Sequence, residues 1–95
     1  MKSGDYQSEK YGISNQIKRA ANSVSANIAE GSGRLSTKDK ANFFQIAFSS
    51  FTEVLNFLII AEKLGFISNE EFIQQRLKIL ELSNKINAYH KKLKS

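Results

Sequence analysis

Two carboxylates, Glu30 and Glu53, stand in helical surroundings where plain hydrophobes would be expected, and paired carboxylates can divide acid and base roles in proton transfer. Such a pair needs a nucleophile, a metal ion or a histidine beside it. The chain has no Cys, and its single histidine, His90, lies far along the sequence. One histidine without cysteine also excludes the usual zinc clusters. No catalytic, cofactor-binding or metal-ligating set is expected, and a hydrolase or transferase built on Glu30 and Glu53 has nothing else to support it.

Gly31-Ser32-Gly33 ahead of a helix invites comparison with a phosphate-binding loop. Its spacing fits neither the Walker nor the dinucleotide pattern, and no strand precedes it. A helix N-terminus near Ser36 could hold an anion, but a plain interhelical turn explains the glycines more simply.

Asn27 shares a helical face with Ala20, Val24 and Ile28, so it is expected to point inward. A buried amide without partners costs on the order of 1–3 kcal/mol, so it must find hydrogen bonds. Ser49, Ser50 and Glu53 on the next helix are within sequence reach, and Glu30 and Arg34 can join them. The expectation is a structural polar lock of Asn27, Glu30, Arg34, Ser50 and Glu53 that fixes helix register and the turn. Ligand binding at the same cluster is the alternative.

Basic residues fall in three groups: Lys18 and Arg19; Arg34, Lys38 and Lys40; and Lys85, Lys91, Lys92 and Lys94. They read either as a solvated face with helix-end cations or as a surface that contacts phosphates. The formal net charge of +5 favours a polyanionic partner. The phenylalanines belong to an apolar helix face and are expected in the core. Tyr6, Tyr11 and Tyr89 are the aromatics left to stack on bases, with Tyr89 in a core seam.

The elements that position these residues follow from period and punctuation. At 95 residues the chain is one small domain, 1–95, burying only about 60–65% of its unfolded surface. Residues 1–11 are polar without a sustained period and read as a mobile arm. Ile13, Ile17, Ala20, Ala21, Val24 and Ile28 predict a helix over about 13–30, capped near Gly12 or Ser14 and ended by Gly31 and Gly33. Ser36 with Asp39 opens a second helix, about 37–64, whose apolar residues cover roughly two-thirds of its circumference. Such a helix must be buried from more than one side. Gly65 and Phe66 close it, and Ser68 with Glu71 opens a third helix, about 69–93, as a capping box. Along it Phe72, Ile79, Ile86 and Leu93 repeat every seven residues, with Leu82 and Tyr89 between; Ile73, Leu77 and Leu80 widen that seam. There is no Pro to interrupt a helix and no strand signal. The fold class is all-α, an antiparallel up-and-down helical bundle. No apolar run is expected to approach bilayer-spanning length, the N-terminus shows no signal-peptide pattern, and the lack of Cys suits a cytoplasmic location.

The motif NIAEGSGR, residues 27–34, with Arg19, Ala20, Ala21, Ser23 and Val24 before it, resembles a known family. So do Phe43, Phe44, Ile46, Ala47, Ser50, Phe51, Glu53 and Val54, and then Leu64, Gly65, Phe66 and Ile67. Over about residues 11–90 the chain is similar to the bacterial 23S rRNA-intervening sequence proteins, four-helix bundles related to the accessory variability protein of diversity-generating retroelements. The family often has Pro at the position of Ser25 and Gly at that of Ser49. It usually begins with a long amphipathic helix that the first eleven residues do not supply. The resemblance therefore implies a four-helix bundle with its first helix shortened or missing, leaving an apolar groove. It further implies assembly into a ring, typically a homopentamer, nucleic-acid binding through basic surface, and no established enzymatic activity. Two functions are carried forward. One is an oligomeric, non-enzymatic bundle binding structured RNA or DNA through a basic surface. The other is a protein-protein interaction or assembly module whose groove takes a partner helix.

Overall fold

The computed structural model describes the backbone of residues 3–94 and the side chains of residues 7–92. Three helices account for nearly all of it: α1 (Ser3–Ser32), α2 (Thr37–Lys63) and α3 (Asn69–Lys94). No strand occurs among the described residues.

Helix α1 starts at Ser3, so the segment read as a mobile arm is helical. Polar side chains do not prevent this: once a helix is nucleated in the apolar stretch beyond Ile13, each added residue contributes one more backbone bond. Gly12 accordingly lies inside α1 and caps nothing. The other end also differs from expectation. Gly31 is still helical, and the turn falls at Gly33, whose N–H reaches the carbonyls of Ala29 and Glu30 at 3.2 Å each.

Helix α2 begins at Ser36, whose hydroxyl accepts from the Asp39 N–H at 3.0 Å. Its far end is a Schellman closure. Gly65 adopts φ +77, the Phe66 N–H reaches the Ala61 carbonyl at 2.8 Å, and the Gly65 N–H reaches that of Glu62 at 3.0 Å. Ser68 and Glu71 then form a reciprocal capping box, each backbone N–H donating to the other's side chain at 3.0 Å.

Packing centres on α2. Ala20 of α1 meets Val54 and Leu58, and Val24 meets Ala47 and Phe51, so positions rise along α1 as they fall along α2. The two helices pack tightly at Gly31, where a Cβ would lie 3.0 Å from the Phe43 Cβ and 3.1 Å from the Phe44 Cε1. On the other flank, Phe72, Ile79 and Ile86 of α3 pack against the same two clusters. The Cα atoms of α1 and α3 come nowhere within 8 Å of each other.

Two core expectations are corrected. Leu82 and Tyr89 are 52% and 46% exposed, Leu82 because it lines an open trough between α1 and α3, and Ile73, Leu77 and Leu80 are exposed on another face of α3. Residues of α2 are buried against α1 and against α3, yet Ile46 and Ile60 remain exposed. The expectation that no apolar run nears spanning length is also corrected: α2 is long and apolar enough to cross a membrane by length and composition, with mean hydropathy 1.6. The central helix of a packed bundle passes the same test. Only 33% of its apolar 18-residue stretch is buried, so α2 carries more apolar surface than its two neighbours cover. The side chain of Leu93 lies outside the described residues.

Candidate functional site

The polar lock divides into two separate clusters. The inner one joins α1 to α2. Ser50, 5% exposed, donates its hydroxyl hydrogen to the Ile46 carbonyl at 3.1 Å. Its 2.8 Å contact with the Ser23 hydroxyl is therefore donated by Ser23. Ser23 in turn accepts from the Asn27 amide at 3.2 Å, and the same amide reaches the Ser23 carbonyl at 2.8 Å. The result is a directed chain from Asn27 through Ser23 and Ser50 to a backbone carbonyl. Among the described residues Asn27 makes no hydrogen bond to α2 itself and is linked to it through Ser23, a residue the expected lock omitted. The i, i+4 spacing of Ser23 and Asn27 was the signal that could have included it.

The outer cluster is exposed. Arg34 bonds Glu30 at 3.0 Å, and its guanidinium lies 4.8 Å from the centre of the Phe43 ring. Cation, carboxylate and ring together hold the turn against the start of α2. Glu53 belongs to neither cluster. It is exposed and makes no hydrogen bond or ion pair among the described residues, because its position on α2 faces away from both neighbouring helices. Glu30 is engaged with Arg34 while Glu53 stands apart, so the two carboxylates are not assembled as an acid–base pair. Among the described residues no group of three or more His, Asp and Glu could hold a metal ion. His90 packs its ring against Phe44 and Phe48, at 6.0 and 6.3 Å between centroids, and its Nε2 is buried without a hydrogen-bond partner.

Helix direction decides which basic residues meet. Tyr89 and His90 lie against Phe44, which brings the end of α3 level with the start of α2. Arg34, Lys38 and Lys40 consequently share one end of the 53 Å long molecule with Lys91 and Lys92. The Lys94 backbone is there too, while its side chain lies outside the described residues. Lys85 sits nearly two turns before this end and pairs with Glu81 at 3.4 Å. Lys18 and Arg19 border a shallow polar depression on α1, roughly 20 Å along the helix from its C-terminal turn. The expected candidates therefore form one basic end and one separate pair, with Lys85 apart from both in its ion pair. Of the three tyrosines, Tyr11 is exposed, Tyr89 packs its edge on Phe44, and the side chain of Tyr6 lies outside the described residues.

The second surface of note is a trough of about 440 Å³ between α1 and α3, floored by Phe51, Val54 and Leu58 of α2. Its lining is apolar apart from Ser25, Gln75 and Lys78.

Fold and surfaces define a small all-helical protein organised by packing on one central helix, with a basic end and an uncovered apolar flank. The profile of the 23S rRNA-intervening sequence proteins matches residues 3–88, nearly the whole chain, and the chain belongs to that family. No curated protein shows significant sequence similarity to it.

Proposed function

We propose that this chain is a non-enzymatic, self-assembling bundle protein of the cytoplasm that binds structured RNA or DNA through its basic end. The observation that carries the reading is the convergence of Arg34, Lys38, Lys40, Lys91 and Lys92 at one end of the molecule, set by the pairing of Phe44 with Tyr89 and His90. Such a cluster contacts phosphates without reading sequence, so affinity falls steeply with salt. Fluorescence anisotropy against an RNA hairpin and a DNA duplex over a salt series tests it. Replacing Lys38, Lys40, Lys91 and Lys92 by Gln is expected to lessen the slope of log affinity against log salt by about three. Lys18→Gln with Arg19→Gln is expected to change it less. No binding at low salt to either nucleic acid refutes the proposal.

Self-association is supported by apolar side chains outside the trough, Ile46 and Ile60 on α2 and Ile73, Leu77 and Leu80 on α3. A ring of five, and a fourth helix completing each bundle, are the arrangements to test by mass in solution. A second reading rests on the trough itself: it has the apolar lining and helical walls of a site that receives a partner helix.

A further inference from the structure

The trough specifies its occupant more closely than that second reading does. One wall is Ile17, Ala21, Val24 and Ile28 of α1. The other is Gln75, Ile79, Leu82 and Ile86 of α3. Both walls advance by four, three and four residues, the spacing along which one helix presents a seam to another. Each seam runs about 16 Å at the helical rise, so the complement is a helix of at least about three turns. An extended strand or an irregular loop would match neither seam and would leave its own backbone groups unpaired against apolar walls.

Charge around the trough is one-sided. Its only charged lining residue is Lys78, and Lys18 adjoins Ile17 on the exposed side of α1. Neither lysine makes an ion pair among the described residues. Of the α3 acids, Glu81 bonds Lys85 at 3.4 Å, and Glu71 is held at the start of the helix, about two turns before Lys78, by the Ser68 N–H at 3.0 Å. A second copy of the chain, with a net charge of +5, offers no acidic excess to match these lysines. Resting on the reading of the trough as a helix site, we propose that it binds an acidic amphipathic helix of another protein, with Lys18 and Lys78 selecting carboxylates beside the apolar seam.

Two labelled synthetic peptides of about eighteen residues, or five turns, test this with the full chain. Both carry Leu and Ile at the same four-three-four spacing; one is flanked by Glu and the other by Lys. By anisotropy, the Glu peptide is expected to bind one to one and about tenfold tighter than the Lys peptide at low salt, with the gap narrowing at high salt. Lys18→Glu with Lys78→Glu is expected to reverse the preference. Leu82→Glu, at a half-exposed position that the fold does not need buried, is expected to abolish binding with helical circular dichroism unchanged. Equal binding of both peptides overturns the acidic partner and leaves the helix site standing. Failure of both peptides to bind a folded chain overturns the two together. If Leu82→Glu instead converts an assembled chain to a monomer, the occupant is a second copy and the proposal is wrong.

Discussion

Gly31 and Gly12 are both helical glycines, and the same substitution at each is expected to act in opposite directions. At Gly12 an added Cβ meets nothing within 4 Å, so Gly12→Ala contributes only helix propensity and a less flexible unfolded chain. That stabilises by about 0.5–1 kcal/mol. At Gly31 the propensity gain is smaller, since the residue is in the last turn of α1. The new methyl would lie 3.0 Å from the Phe43 Cβ and 3.1 Å from the Phe44 Cε1. The first atom is fixed to the backbone. The second belongs to a ring only 1% exposed, with no open side toward which to swing. Relief requires α1 and α2 to separate at the turn, an overpacking cost of about 1–3 kcal/mol. Net, Gly31→Ala is expected to destabilise by about 1–2 kcal/mol. For a domain of this size that lowers Tm by roughly 4–8 °C per kcal/mol, while Gly12→Ala raises it by a few degrees. Thermal melts followed by circular dichroism, at one fixed protein concentration, read both. If Gly31→Ala raises Tm as much as Gly12→Ala does, the helices do not close on each other at Gly31 and the packing argument fails.

Three further outcomes follow from the side-chain contacts. Ser50→Ala breaks the directed chain between α1 and α2 and is expected to cost about 1 kcal/mol in urea unfolding, whereas Glu53→Gln should stay within about 0.5 kcal/mol. A larger loss at Glu53 would restore it to the lock. The Ser68 backbone and hydroxyl hydrogen bonds hold the Glu71 carboxyl below the usual glutamate range. A depressed folded value means stabilisation that is complete above the unfolded value and lost as pH falls through the folded one. Protection of the first α3 amides from hydrogen exchange should therefore decline on acidification below the ordinary glutamate range, and Glu71→Gln should flatten that dependence. His90→Leu removes a buried nitrogen without a partner and is expected to be neutral or to stabilise by up to about 1 kcal/mol in the same urea assay; a loss above 1 kcal/mol would show that the ring contacts with Phe44 and Phe48 outweigh the orphaned atom.

Much of the architecture was legible because its signals are local. Ser68 and Glu71, or Gly65 and Phe66, define helix ends through hydrogen bonds spanning a few residues, and those bonds form where the spacing places them. Residues 3–11 misled because the absence of an apolar period argues against burial, and a helix that continues into solvent needs no burial. Gly31 was readable as a terminator from its type alone, but its role depends on how near Phe43 comes, which only the paired helices determine. Glu53 was assigned to the lock from its nearness to Ser50 in sequence. Three residues along a helix leave a net offset of about 60°, enough to take it from the edge that meets α1 to the exposed face. The basic end was spelled out residue by residue, yet its convergence needed the direction of α3 relative to α2.

That convergence also separates the two kinds of surface. The cations of the basic end lie where α1 finishes, α2 begins and α3 finishes, while the uncovered apolar residues lie along the flanks of α2 and α3. Contacts made flank to flank would bury Ile60, Ile73, Leu77 and Leu80 without covering Arg34, Lys38 or Lys92. In the proposed assembly, therefore, association would not compete with nucleic-acid binding. If the ends face the same way, as in a ring, association would multiply the binding surface. A single end offers about five cations, most of them exposed and each worth little at physiological salt, whereas copies held together raise the effective concentration of every further contact. Nucleic-acid affinity should then rise with self-association and fall together with it when Leu77 is replaced by Glu. Loss of assembly with undiminished affinity would show that one end suffices and that the apolar flank serves another purpose.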